Sequence, residues 1–112
     1  MSIQHPPQDL IVIHLPFKEL LIDDELKTIN ETVAQNPDCD VIIDFSRVEV
    51  IISSSLSNLL ILQNLLAECG RRLILCNVSV ITKCVFRIAG FDEAFEFAND
   101  RPTAVAAVHN SC

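Results

Sequence analysis

The stretch Asp40-Val-Ile-Ile-Asp-Phe-Ser-Arg-Val-Glu-Val-Ile-Ile-Ser-Ser-Ser-Leu-Ser-Asn-Leu-Leu60 decides how this chain folds. Its first part, residues 41–45, is a short and mostly apolar run, which is typical of a strand buried on both faces of a sheet. Farther along, apolar side chains recur at a helical period from Leu56 onward. The stretch therefore predicts a buried strand, a turn and a helix, in that order.

Several serines lie close together in the turn that leads into this helix. The polar residues at its opening are Ser53, Ser54, Ser55, Ser57 and Asn58. The first turn of a helix leaves backbone N–H groups unpaired and carries the positive end of the helix dipole. Serine hydroxyls cap those N–H groups, and the same turn accepts a phosphate. We predict that the serines cap the helix, and three in a row are more than capping requires.

Residues 44–60 resemble the signature of the STAS domain family, which comprises the bacterial anti-sigma-factor antagonists and their relatives. In that family the helix begins with a regulatory phosphoserine, and the matching position here is Ser54, with Ser53 before it. Ile52 stands where the family most often has an aspartate, and Ser55 and Ser57 stand where it has glycines. The resemblance implies phosphorylation at Ser54, and less readily at Ser53 or Ser55.

The same resemblance implies a fold and a function. The fold is α/β, a single mixed sheet of about four or five strands with four helices packed mainly on one face. The function is that of a non-enzymatic regulatory module that binds a serine kinase or anti-sigma factor and is released by phosphorylation of Ser54. The partner-binding residues would be Ser53, Ser54, Ser55, Ser57 and Asn58. Two alternatives stay open: a STAS-like scaffold that is never phosphorylated, and a module that binds a small ligand or nucleotide at the serine turn.

Composition limits the classes of function. The 112 residues suit one domain spanning residues 1–112, half of them are apolar, and the net charge is −7. That charge argues against nucleic-acid binding, which needs a basic face, and favours a basic partner surface. The apolar runs are far shorter than the roughly 20 residues of a membrane span, and the N-terminus lacks a secretory pattern, so we expect a cytoplasmic protein. The apolar content leaves self-association open.

Catalysis and metal binding find little support in the sequence. The five cysteines follow no zinc-binding or disulfide spacing, which predicts reduced thiols, no metal and no cofactor. An enzyme would need a nucleophile among the turn serines or the cysteines, with His14 or His109 as the base. A chain with two glycines has no nucleophile elbow and no phosphate-binding glycine loop. We therefore predict no catalytic residues, and we interpret His14 as a surface or hydrogen-bonded residue without a chemical role.

Periodicity and turn residues predict the other elements. Strands are predicted at residues 9–15, 17–22, 41–45, 73–76 and 96–98. Helices are predicted from Asp23 or Asp24 to Asn36 and at residues 53–68, 80–88 and 100–108. Gly70 and Gly90 are expected to end the second and third helices in a left-handed conformation. The strands on either side of the serine-led helix form a βαβ unit, which predicts that they run parallel.

Three segments complete these expectations. Residues 1–8 are expected to be an extended lead-in, and residues 109–112 are expected to fray. The helix at residues 80–88 has an apolar face made of Val80, Ile81, Cys84, Val85 and Ile88. Such a face is typical of a helix that packs against a core.

Overall fold

The computed structural model describes residues 2–4, 10–35, 39–49 and 51–109. Its elements, in chain order, are β1 Ser2–Gln4, β2 Leu10–His14, α1 Glu19–Gln35, β3 Asp40–Asp44, α2 Ser53–Glu68, β4 Leu73–Cys76, α3 Val80–Ile88, β5 Glu96–Ala98 and α4 Arg101–His109. β1 lies in the segment expected to be an extended lead-in, where no strand was predicted. Met1 and residues 5–8 of that segment lie outside the described residues, as do residues 110–112. His109, which was expected to fray with residues 110–112, is the last residue of α4.

The five strands form one sheet in the order β1-β2-β3-β4-β5. β1 runs antiparallel to β2, and every other neighbouring pair is parallel, including the predicted pair β3 and β4. Each parallel connection crosses over through one helix, because parallel neighbours cannot be joined by a tight turn. The carboxyl ends of β2 to β5 therefore lie at one edge of the sheet, where α1 to α4 also begin. Open α/β sheets bind their ligands at this edge.

Apolar side chains alternate between two layers along the central strands, because successive strand residues point to opposite faces. The layer beneath α1, α2 and α3 contains Ile11, Ile13, Val41, Ile43, Leu73 and Leu75. The layer beneath α4 contains Leu10, Val12, Ile42, Ile74 and Cys76. Three helices thus cover one face and one helix covers the other, which confirms the predicted mixed sheet with helices mainly on one face. Within the described part of the chain, no helix combines the length and apolar character needed to cross a membrane.

The predicted strand at residues 17–22 is wrong, because this segment opens α1. Ile22 is fully buried and continues the helical stripe of Leu26, Ile29 and Val33. A short apolar run can fit either a strand or a helix, and here the spacing to the later residues decides. The helix therefore begins at Glu19 and not at the predicted Asp23 or Asp24.

The apolar face predicted for α3 is not its buried face. Thr82 and Phe86 point inward, and the Phe86 ring packs edge-on against the rings of Phe45 and Phe95. The Phe86 ring thus belongs to a cluster of core rings, and its packing there fixes the rotation of the helix. This rotation leaves Val80, Ile81 and Ile88 of α3 on the surface, 74% to 86% exposed.

Both predicted glycine helix ends are present. Gly70 and Gly90 adopt φ angles of +71° and +81°, in the left-handed region. After α2 the Arg71 N–H donates to the Leu66 carbonyl at 2.8 Å, which closes the last turn and turns the chain toward β4.

Candidate functional site

The serine turn lies at the carboxyl edge of the sheet, between the end of β3 and the start of α2. Ile52 is the N-cap, with an extended backbone and no side-chain hydrogen bond to the helix. The prediction that the serines cap α2 is wrong, because Ser53, Ser54 and Ser55 are the first helical residues and capping belongs to the residue before them. The first turn of α2 therefore keeps its positive end without a side-chain cap.

The three consecutive serines do not face the same way. Ser53 and Ser54 are exposed, as is Ser57, whereas Ser55 is 0% exposed. Successive helical residues are rotated by about 100°, so Ser55 falls on the inward stripe with Leu59. Its Oγ has no hydrogen-bond partner among the described residues. Ser55 was predicted as a secondary phosphorylation site and a partner contact, and its burial in the folded domain removes it from the surface.

Asn58 joins α2 to α1. Its Nδ2 donates to Asp23 Oδ1 at 2.6 Å, and its carbonyl accepts from Asn30 Nδ2 at 3.1 Å. Asp23 also lies 3.7 Å from Lys27 Nζ. Asn58 was predicted to bind the partner, but its side chain is half-buried and already hydrogen-bonded within the domain.

The outward side of α2 carries no charge over most of its length. From Ser53 to Ala67 the helix contains no charged residue, and Glu68 is the first. The exposed polar or large apolar side chains along this side are Ser53, Ser54, Ser57, Ile61 and Asn64. We call these five residues the neutral face of α2. The chain as a whole has a net charge of −7, but this face consists of three hydroxyls, one amide and one half-exposed isoleucine. A partner that binds it would therefore not have to desolvate charged groups of this face.

An open cleft of about 620 Å³ lies at the same edge of the sheet. It is lined by His14, Leu15, Pro16, Asp44, Ser46, Arg47 and Arg101. His14, Asp44 and Cys76 lie side by side in the parallel register and belong to the sheet face that packs on α4. The cleft is therefore on the other side of the sheet from α2.

Asp44 is the centre of the polar contacts in this cleft. Its Oδ1 accepts from the Ser46 N–H at 2.8 Å and from Asn77 Nδ2 at 3.1 Å, and its Oδ2 lies 3.2 Å from His14 Nδ1. Burial raises the pKa of Asp44, but the hydrogen bonds from Ser46 and Asn77 and the nearby His14 outweigh it, so the net pKa lies below the ordinary value. Asp44 is thus a carboxylate with fixed partners.

The His14 ring connects Asp44 to α4. Arg101 Nη1 lies 3.0 Å from His14 Nε2. A guanidinium can only donate, so this contact requires a lone pair on Nε2 and a proton on Nδ1, which donates to Asp44. His14 was predicted to have no chemical role, and the cleft was not predicted. The available signal was that two polar residues, His14 and Asp44, end adjacent parallel strands.

The described geometry places neither Cys76 nor His14 in a catalytic arrangement. Burial and the Asp44 charge raise the pKa of the Cys76 thiol to about 12, so it stays protonated. His14 Nε2 faces Arg101 and not a hydroxyl or thiol. In the described part of the chain, no cluster of three or more histidines, cysteines or carboxylates could hold a metal ion. Two further candidates, the His109 side chain and Cys112, lie outside what the structure describes.

Comparison with known proteins points to one family. A family model described as the STAS domain matches residues 18–104. The solved STAS domain protein of Planctomyces limnophilus is 22% identical, with a TM-score of 0.83 over 97% of both chains. The anti-sigma factor antagonist SpoIIAA in its unphosphorylated form is 19% identical, with a TM-score of 0.76 over 97% of both chains. No curated protein matches the sequence significantly.

A further solved structure is the phosphorylated form of the Bacillus cell fate determinant SpoIIAA. It is 20% identical, with a TM-score of 0.71 over 96% of this chain and 97% of that one. At these identities the likeness shows the fold.

Proposed function

Because the chain belongs to the STAS domain family, we propose that it is a non-enzymatic regulatory module that docks on another protein through the neutral face of α2. The partner is a protein of the anti-sigma-factor or serine-kinase type. Phosphorylation of Ser54 ends the interaction.

The observation that carries this proposal is that Ser54 is exposed on the side of α2 that has no charged residue before Glu68. A phosphate adds about −1.5 to −2 charges at neutral pH. In a docked interface that charge must be desolvated, which is unfavourable unless the partner supplies a basic pocket. Phosphorylation of Ser54 would therefore weaken binding to the partner.

The position of Ser54 also keeps the switch separate from folding. Ser54 lies in the first turn of α2, where the unpaired N–H groups and the helix dipole favour a negative charge. The modified helix should stay formed. A solved relative, SpoIIAA, is known in unphosphorylated and phosphorylated forms, which supports testing the same change here.

The first experiment identifies the partner and the modification together. The tagged chain is purified from its own host, and mass spectrometry identifies the bound proteins and any phosphate on Ser53 or Ser54. A co-purifying anti-sigma-factor or kinase-type protein and phosphate on Ser54 are expected. Binding without any phosphate would favour the unphosphorylated scaffold.

Substitutions then test the surface with purified partner. Ser54→Asp is expected to weaken binding by about tenfold or more, which corresponds to 1.4 kcal/mol, while Ser54→Ala binds like the wild type. Ala106→Asp is the matched control, because it places the same charge on an exposed site of α4, on the opposite side of the sheet. The thermal midpoint of Ser54→Asp should stay close to that of the wild type. Equal binding of Ser54→Ala and Ser54→Asp would exclude Ser54 as the switch.

A further inference from the structure

We infer that the cleft between the ends of β2 and β3 and the start of α4 is a binding site for a small phosphorylated compound, a phosphomonoester. The cavity of about 620 Å³ is larger than a bare phosphate needs and falls within the range of small-molecule sites, about 300–1,000 Å³. It therefore has room for an organic group beside the phosphate. The site lies on the other side of the sheet from the neutral face of α2 and does not depend on the proposed function.

The charges that line the cleft favour an anion. Among the described residues that line the cleft, Arg47 and Arg101 are accompanied by one carboxylate, Asp44, although the whole chain is acidic. Asp44 is 6% exposed, and its two oxygens are taken up by the Ser46 N–H, the Asn77 amide and His14. These contacts hold the Asp44 carboxylate in place, although they do not neutralise its charge. Among the described lining residues, two guanidinium charges stand against this one carboxylate.

The donor set suits a phosphate better than a carboxylate. Each guanidinium presents a planar fork of N–H donors that can bind two oxygens of one anion. One such fork satisfies a carboxylate, whereas two forks from different directions match the three terminal oxygens of a phosphomonoester. Arg47 follows β3 and Arg101 begins α4, so the two approach the cleft from different elements. The Ser46 side chain adds a hydroxyl at the rim.

His14 lies between the carboxylate and the arginine that begins α4. Its Nδ1 lies 3.2 Å from Asp44 Oδ2, and its Nε2 lies 3.0 Å from Arg101 Nη1. The ring thus links β2 to both β3 and α4 within the cleft. An anion bound by Arg101 would lie next to this ring.

The experiment titrates the full ¹⁵N-labelled chain with glycerol 3-phosphate. Saturable shifts are expected at the amides of residues 14–15, 44–47 and 101, and inorganic phosphate should produce weaker shifts at the same places. Glycerol and acetate are the matched probes without a phosphate. Acetate binding as tight as that of glycerol 3-phosphate, or no saturable shift with glycerol 3-phosphate, would overturn the assignment.

Two variants locate the site. Arg47→Ala is expected to weaken glycerol 3-phosphate binding by about tenfold or more, because it removes a charge-assisted contact. Arg87→Ala is the control, since Arg87 is exposed on α3 and does not line the cleft. Equal losses of affinity in Arg47→Ala and Arg87→Ala would refute the site.

Discussion

Replacing Ser55 with alanine is expected to stabilise the protein, because this substitution removes a polar atom from the core. Ser55 is fully buried, and its Oγ has no hydrogen-bond partner among the described residues. Burying a hydroxyl without a hydrogen bond costs about 1–3 kcal/mol in protein mutational data. Alanine also has the higher helix propensity, by a few tenths of a kcal/mol. The small void left by the oxygen costs about 1 kcal/mol at most, so we expect a net gain of about 1–2 kcal/mol.

That gain is large enough to measure by thermal unfolding. For 112 residues, an unfolding entropy of about 2.1 cal/mol/K per residue amounts to roughly 0.24 kcal/mol/K. The Tm of Ser55→Ala should therefore rise by about 4–8 °C. Far-ultraviolet circular dichroism during heating reports the midpoint, and urea denaturation gives the free energy of unfolding at room temperature.

Ser57→Ala is the matched control for this measurement. Ser57 lies on the same helix and gains the same propensity, but its side chain is exposed. Its stability should change by about 0.5 kcal/mol or less. If Ser55→Ala lowers the Tm, or leaves it equal to that of Ser57→Ala, then the Ser55 hydroxyl has a partner or a packing role, and the reasoning from its burial fails.

Three further substitutions test the core, the cleft and a helix end. Leu59→Ala removes a fully buried side chain from α2 and should cost about 2–5 kcal/mol in urea unfolding, whereas the half-exposed Ile61→Ala should cost only about 1 kcal/mol; equal losses would contradict the observed burial. Because the pKa of Asp44 is lowered in the fold, its carboxylate stabilises the protein above about pH 4, and this contribution disappears as the pH falls through the folded pKa. Asp44→Asn should therefore lose less stability on acidification from neutral pH than the wild type does, and an identical acid profile would refute this role. Gly90→Ala forces a side chain into the left-handed region and should lower stability by about 1–2 kcal/mol, although no atom lies within 4 Å of the added Cβ; an unchanged Tm would argue against the positive φ.

The sequence predicted the fold where local and long-range signals agree. The run at residues 41–45 is apolar enough for a central strand, and the period that begins at Leu56 is clearly helical, so β3 and α2 were both found. The error at residues 17–22 has the opposite cause, because three adjacent apolar residues satisfy a strand and a helix equally well over that length. For α3, composition identified an apolar stripe, but the position of Phe86 within a cluster of rings decided which side is buried.

The candidate sites were predictable to different degrees. The serine turn follows directly from local sequence, although the inward direction of Ser55 depends on how α2 is rotated against the sheet. The cleft could not be found in this way, because His14 and Arg101 are 87 residues apart and meet only when β2 and α4 are both in place. The resemblance to a family helped with the first site alone, since the residues that carry it lie between residues 44 and 60.

The order of the strands in the sheet is also the order in which a ribosome releases them. Each new strand can therefore join the edge left by the strand made just before it, and none of the described strands has to enter between two that are already paired. Domains generally fold as units, and an unpaired strand edge is a site for association with other chains. A chain that paired its strands in this order would have one open edge at each stage, and the strand that completes the sheet, β5, has only three residues. The sheet thus ends on that side with a short edge.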